Sequence, residues 1–97
     1  MAFDYVVLKK AEDDLDEIID YIAADNPKAA LELYKTFLKQ FEYLSLFPEV
    51  GRLRKEFQPV VRSLPVGNHV IFFRESSPLE IIRVLHGARD ITAEYLD

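Results

Sequence analysis

The stretch Arg83-Val84-Leu85-His86-Gly87-Ala88-Arg89-Asp90 sets a histidine between two arginines at the end of an apolar run. Those residue types serve two kinds of work. Cleavage of a phosphodiester next to a ribose 2′-hydroxyl needs a base for that hydroxyl, cations on the scissile phosphate and an acid for the leaving oxygen. Histidine is the residue type suited to proton transfer near neutrality, so His86 could move such a proton. Docking on another protein needs only arginines and an apolar strand at the surface. Quieter roles stand beside both: His86 as a hydrogen-bonded, partly buried histidine, Arg83 with its stem packed on Ile81 and Leu85, Arg89 in a local ion pair with Asp90, and Gly87 permitting the turn after the strand. There is no phosphate-cradling glycine loop, and with no cysteine and only His69 and His86 the chain lacks a Cys/His metal array. No metal and no cofactor are implied. The carboxylates Asp13, Asp16, Glu17 and Asp20 share one helical face, which at this spacing reads as a solvated surface rather than a cation site.

The elements that must position these side chains follow from hydrophobic period. Phe3 to Leu8 alternates as a short strand, Phe3, Tyr5 and Val7 on one face and Val6 and Leu8 on the other. From Ala11, apolar residues recur at Leu15, Ile18, Ile19, Ile22 and Ala23, the stripe of a first helix, with Glu12 to Asp14 near its positive N-terminal end. Asn26-Pro27 supplies an N-cap and a first-turn proline for a second helix. Its stripe is Ala30, Leu33, Tyr34, Phe37, Phe41 and Leu44, and Pro48 stops it. Tyr21, Tyr34 and Tyr43, on or beside these stripes, could line a pocket but are expected in the core. Pro48 to Val61 has no clean period and is expected to be an irregular crossover, carrying Arg52, Arg54 and Lys55. Arg62 to Val66 and His69 to Glu75 flank Gly67-Asn68 as a hairpin, and Leu79 to His86 forms another strand after Ser76-Ser77-Pro78.

The expected fold class is α+β: an N-terminal strand, a two-helix antiparallel hairpin, then a three-stranded antiparallel sheet with the helices on one face. Regular alternation puts Leu79, Ile81, Arg83 and Leu85 on one face of the last strand and Ile82, Val84 and His86 on the other. Both faces are partly apolar, so the face away from the helices is a candidate for burial by a partner.

Composition bounds these readings. Ninety-seven residues, 49% of them apolar, fit one domain over residues 1–97. The absence of cysteine removes any need for an oxidising compartment, and the N-terminal stretch MAFDYVVLKK is not a secretion signal, so the cytoplasm is the expected location and no membrane is involved. A net charge of −5 argues against a chain that lives on nucleic acid, whose affinity comes from cations. The charge is unevenly spread: acids crowd between Glu12 and Asp25, while arginines dominate from Arg52 onward.

Taken in order, Asp14-Leu15, Ile19-Asp20-Tyr21-Ile22, Asn26-Pro27, Phe47-Pro48 with Gly51-Arg52, Arg62-Ser63-Leu64-Pro65-Val66-Gly67, Val70-Ile71-Phe72-Phe73-Arg74 and the Arg83 to Asp90 stretch make the chain resemble the ParE branch of the RelE/ParE toxin superfamily. The resemblance covers nearly the whole chain. It implies the toxin half of a bacterial type II toxin-antitoxin module of the plasmid-stabilising kind. Such a toxin binds and inhibits DNA gyrase and is neutralised by a small ParD-like antitoxin that wraps across its surface. On that implication Arg62, Phe72, Arg74, Arg83, His86 and Arg89 are the expected partner-binding residues, and no residue is catalytic. The RelE branch comprises ribosome-dependent messenger RNA endonucleases. In that alternative Arg62 and Arg89 match its phosphate-binding arginines, His86 could move the proton, and Tyr95 stands at the spacing of its C-terminal catalytic tyrosine. Leu53, however, occupies a position where that branch carries a lysine. A third alternative is a member that binds an antitoxin without being toxic.

Overall fold

The computed structural model describes residues 3–89, 91, 92 and 96. Strand β1 (Tyr5–Val7) leads into helix α1 (Lys9–Ala23), which turns back through helix α2 (Pro27–Leu46). After a short 3-10 turn at Pro48–Val50 come β2 (Arg52–Arg54), β3 (Val61–Val66), β4 (His69–Arg74) and β5 (Leu79–His86). Among the described residues the sheet has five strands in the order β1-β5-β4-β3-β2. The α+β class and the helical hairpin are as expected, but two strands extend the expected three-stranded meander. β1 joins it in parallel beside β5, with Tyr5 opposite Leu79, and β2 adds an outer strand inside the segment expected to be irregular. β1 is shorter than the Phe3 to Leu8 alternation suggested, because Leu8 already caps α1 while its N–H still donates to the Ile81 carbonyl.

The turns follow their residues. Asn26 caps α2 by accepting the Ala29 N–H at 3.0 Å, with Pro27 in the first turn where its missing donor costs nothing. Gly67 takes φ +58 at the first centre of the β3–β4 turn and no non-glycine among the described residues has positive φ, the pattern of a type II′ hairpin. Gly51 is required for a different reason: a Cβ there would lie 2.3 Å from Phe73 Cζ, inside the packed ring.

The two faces of the sheet bury separate clusters. Toward the helices, Phe37, Phe41 and Leu44 of α2 and Ala11 and Leu15 of α1 meet Ile71, Phe73, Leu79, Ile81 and Val84. The outer cluster joins Phe57, Val61, Phe72, Ile82 and Leu85, with Leu8, Val70, Ile91 and Leu96 packed against it. The outer face was expected to await a partner, and here the chain's own loop and C-terminal residues cover much of it. Burying Phe57 and Phe72 there removes roughly 2 kcal/mol of apolar cost each.

Two further expectations are corrected. Tyr21, Tyr34 and Tyr43 are 82%, 40% and 46% exposed, so they are not core. The helices have a single sheet to pack on, and the tyrosines fall on the flanks of the buried stripe. The face assignment of β5 also fails beyond Ile81. Phe73 pairs with Ile81 but Phe72 pairs with Arg83, so Ile82 is an extra residue, a β-bulge. Past it the parity reverses: Val84 joins Leu79 and Ile81 on the helix side, while Leu85 joins Ile82 outside.

Candidate functional site

The bulge delivers His86 to the helix side of the hairpin end, directly opposite His69. The two rings meet edge to face at 5.5 Å, and His69 also stands edge-on to Phe37 at 5.8 Å. Together with α1 they wall a groove of about 420 Å³. Asp14, Glu17, Ile18, Tyr21 and Ile22 form the helical wall; Asn68, His69, Arg83, Val84, Leu85, His86 and Arg89 form the other. The groove is therefore amphipathic, with Asp14 and Glu17 acidic on one side, Arg83 and Arg89 basic on the other, and an apolar floor. Its mouth is tied by the Gly87 N–H donating to the Asn68 carbonyl at 2.8 Å.

Its charges are organised around Asp14. The carboxylate accepts from Arg83 Nε at 2.7 Å, from Arg83 Nη2 at 2.8 Å and from the Val84 N–H at 2.9 Å. The side chains are only 11% and 15% exposed, so the pair is shielded and the three bonds satisfy it. The Val84 N–H belongs to the stretch of β5 past Ile81, where the paired residues of β1 run out. Asp14 thus stands in for a strand and locks α1 against the sheet.

The histidines differ. Burial, and then the charge that His86 would carry beside it, hold the His69 imidazole below its ordinary pKa. His86 Nδ1 accepts the Ala88 N–H at 3.1 Å, so in its neutral form the proton sits on Nε2. As a metal ligand through Nε2 it would need a proton on Nδ1, where a donor already points. The pair therefore suits hydrogen bonding and packing better than ligation.

The expected site residues divide into separate places. Arg83, His86 and Arg89 line the groove. Arg62 lies at the other end of the hairpin, donating from Nε to Glu75 at 3.0 Å and from Nη1 to the Gly51 carbonyl at 2.9 Å. It is four residues along β3 from Val66, whose register partner His69 faces His86, and two strands over. At ordinary strand spacings that is about 16 Å. Arg74, also at that end, donates to Glu80 at 2.8 Å. Phe72 is wholly buried against Phe57, so a partner cannot reach its ring without unpacking the outer cluster. Tyr95 lies outside the described residues, as does Asp90, the expected partner of Arg89.

Sequence reasoning passed over Asp14, Tyr21 and His69. Asp14 carried a signal: it falls on the Ala11, Leu15, Ile18 stripe, where a carboxylate demands a buried partner. From sequence Tyr21 could line a pocket but reads as core, while His69 carried no signal, because its place depends on how the hairpin end meets α1.

Comparison with known proteins agrees with this architecture. The family described as the ParE toxin of type II toxin-antitoxin system, parDE, matches residues 5–91. Among solved structures, one titled the chromosomal ParDE TA system from P. aeruginosa is similar, at 25% identity and a TM-score of 0.72, covering 87% of this chain and 95% of that chain. None of the curated proteins matches. No helix among the described residues is long and apolar enough to cross a membrane. The match takes in both helices and all five strands, and the chain belongs to the ParE toxins of type II toxin-antitoxin systems.

Proposed function

We propose that this toxin works by docking rather than by cutting: it arrests growth by binding DNA gyrase in the cytoplasm, and a ParD-like antitoxin neutralises it by covering its surface. The observation that carries this reading is the scatter of the groups a ribonuclease would need. Arg62 is about 16 Å from His86 by strand geometry and is held by Glu75 and Gly51. His86 and Arg89 stand in a groove where Arg83 is already engaged by Asp14 and Glu17 adds a further negative charge, a poor seat for a polyanion. An amphipathic groove with an apolar floor and fixed charges on both rims instead suits a peptide segment from a partner.

The test is induction of the chain alone in bacteria, with DNA breakage and message cleavage followed over the same minutes and purified gyrase supercoiling assayed in parallel. Growth arrest with DNA breaks, blocked supercoiling and intact messages is expected. Messages cut at ribosome-occupied codons, with cleavage lost in Arg62→Ala/Arg89→Ala and gyrase unaffected, would replace this reading with the ribonuclease one.

A further inference from the structure

The strand β2 is the last of its side of the sheet: β3 pairs with one edge, and among the described residues no strand pairs with the other. Its sequence is Arg52-Leu53-Arg54, followed by Lys55. Register sorts these side chains. Arg52 lies opposite Ser63, which lies opposite Phe72, so it shares the outer face; Leu53 lies opposite Arg62, which lies opposite Phe73, so it shares the helix face. Arg54 is engaged by Glu56 and sits over the Phe57 and Phe72 rings at 5.3 and 5.5 Å, which leaves Arg52 and Lys55 as the exposed cations.

On the helix face, Leu53 ends a run of surface apolar residues. Tyr43, Leu46 and Phe47 are each 46% exposed, Val50 and Leu53 each 42%, and the Tyr43 and Phe47 rings touch at 5.5 Å. Single exposed apolar residues are ordinary, but a run that leads from a helix end onto an open strand edge marks a contact surface. Cations on an edge also guard against self-association. A second copy pairing antiparallel about Leu53 would set Arg52 against Arg54, so the guard works against this chain's own copies. It does not work against an acidic strand. Nucleic acid could use the cations, but neither the backbone edge nor the apolar run, and it would meet a chain of net charge −5.

We propose that β2 receives an extended acidic segment of the cognate antitoxin, which adds a strand beside Arg52–Arg54, sets carboxylates near Arg52 and Lys55, and lays an apolar side chain on Leu53. This rests on the antitoxin reading above and adds where and how one part of the antitoxin is held.

Amide hydrogen exchange of the free toxin and of the purified toxin-antitoxin complex tests it. Exchange in residues 52–54 is expected to slow at least about tenfold in the complex. Arg52→Glu with Lys55→Glu, both on exposed side chains, is expected to weaken the complex about tenfold or more, with the loss shrinking at high salt. A complex that forms without protecting this strand, or that tolerates the double charge reversal, overturns the proposal. Protection by a duplex or single-stranded oligonucleotide in place of the antitoxin overturns it in favour of a nucleic-acid edge. Failure of any complex to form removes the antitoxin reading and this one with it.

Discussion

Asp14 lies on the buried stripe of α1, and its two oxygens serve a guanidinium and a backbone amide together. Asp14→Ala would take this carboxylate from the shielded Arg83 and leave the Val84 N–H shielded and unanswered, a loss of roughly 3 kcal/mol. Urea unfolding that shows a lower midpoint with an unchanged slope checks it; a loss below about 1 kcal/mol would mean water replaces the carboxylate. His69 gives a pH dependence whose sign is fixed by its environment. Its folded pKa is lowered from 6.5, first by burial and then by His86. Between the lowered value and 6.5 the unfolded chain therefore binds a proton that the folded chain does not. Its contribution is fully present above 6.5 and is lost as pH falls through that window. Unfolding midpoints at about pH 7.5 and about pH 5.5 should differ more for the native chain than for His69→Asn. Equal differences would show that other groups set the acid limit.

At the scale of elements, the outer cluster depends on one loop residue. Phe57 is 5% exposed and stands edge-on to Phe72 at 6.2 Å, so the β2–β3 connection is pinned by an aromatic contact rather than by secondary structure. Phe57→Ala should cost roughly 3 kcal/mol and speed exchange of the amides around it; native-like exchange there would mean that Ile91 and Leu96 hold this face without it. This loop also shows why parts of the fold escaped the sequence. The helices were legible because a 3.6-residue stripe and the Asn26-Pro27 signal agree. The hairpin was legible because Gly67-Asn68 divides two alternating runs. β2 is three residues long and owes its conformation to pairing with β3, so no local period announces it. Nothing local marks Ile82 as an extra residue either, since any apolar residue in that strand alternates equally well. The groove was thus half legible: Arg83, His86 and Arg89, which line it, were singled out, but their assembly with α1 required the bulge and the Asp14 lock.

At the scale of the molecule, the two apolar clusters share strands back to back. Phe72 and Phe73 are adjacent on β4 and point into different clusters, as do Ile81 and Ile82 on β5. Neither cluster can melt while the strands that serve the other stay in place. Unfolding followed by far-ultraviolet dichroism and by tyrosine fluorescence should therefore give one coincident transition. Separate midpoints would show that the outer cluster opens first. The charge distribution works at the same scale. α1 displays acids, whereas Arg52 and Lys55 mark the far strand, so a partner is oriented by the field before contact is made.

The extra residue at Ile82 acts on every position after it. Because side chains alternate with a period of two, one inserted residue exchanges which of the odd and even positions face the helices, from there until the strand ends. A relative with that strand one residue shorter, lacking the bulge, would keep its counterpart of His86 in the groove opposite its counterpart of His69, but one place earlier in the sequence. Column-by-column comparison across such a pair without a gap would then match core positions with groove positions, and an apparent replacement of leucine by histidine would record a shift of frame rather than a change of chemistry.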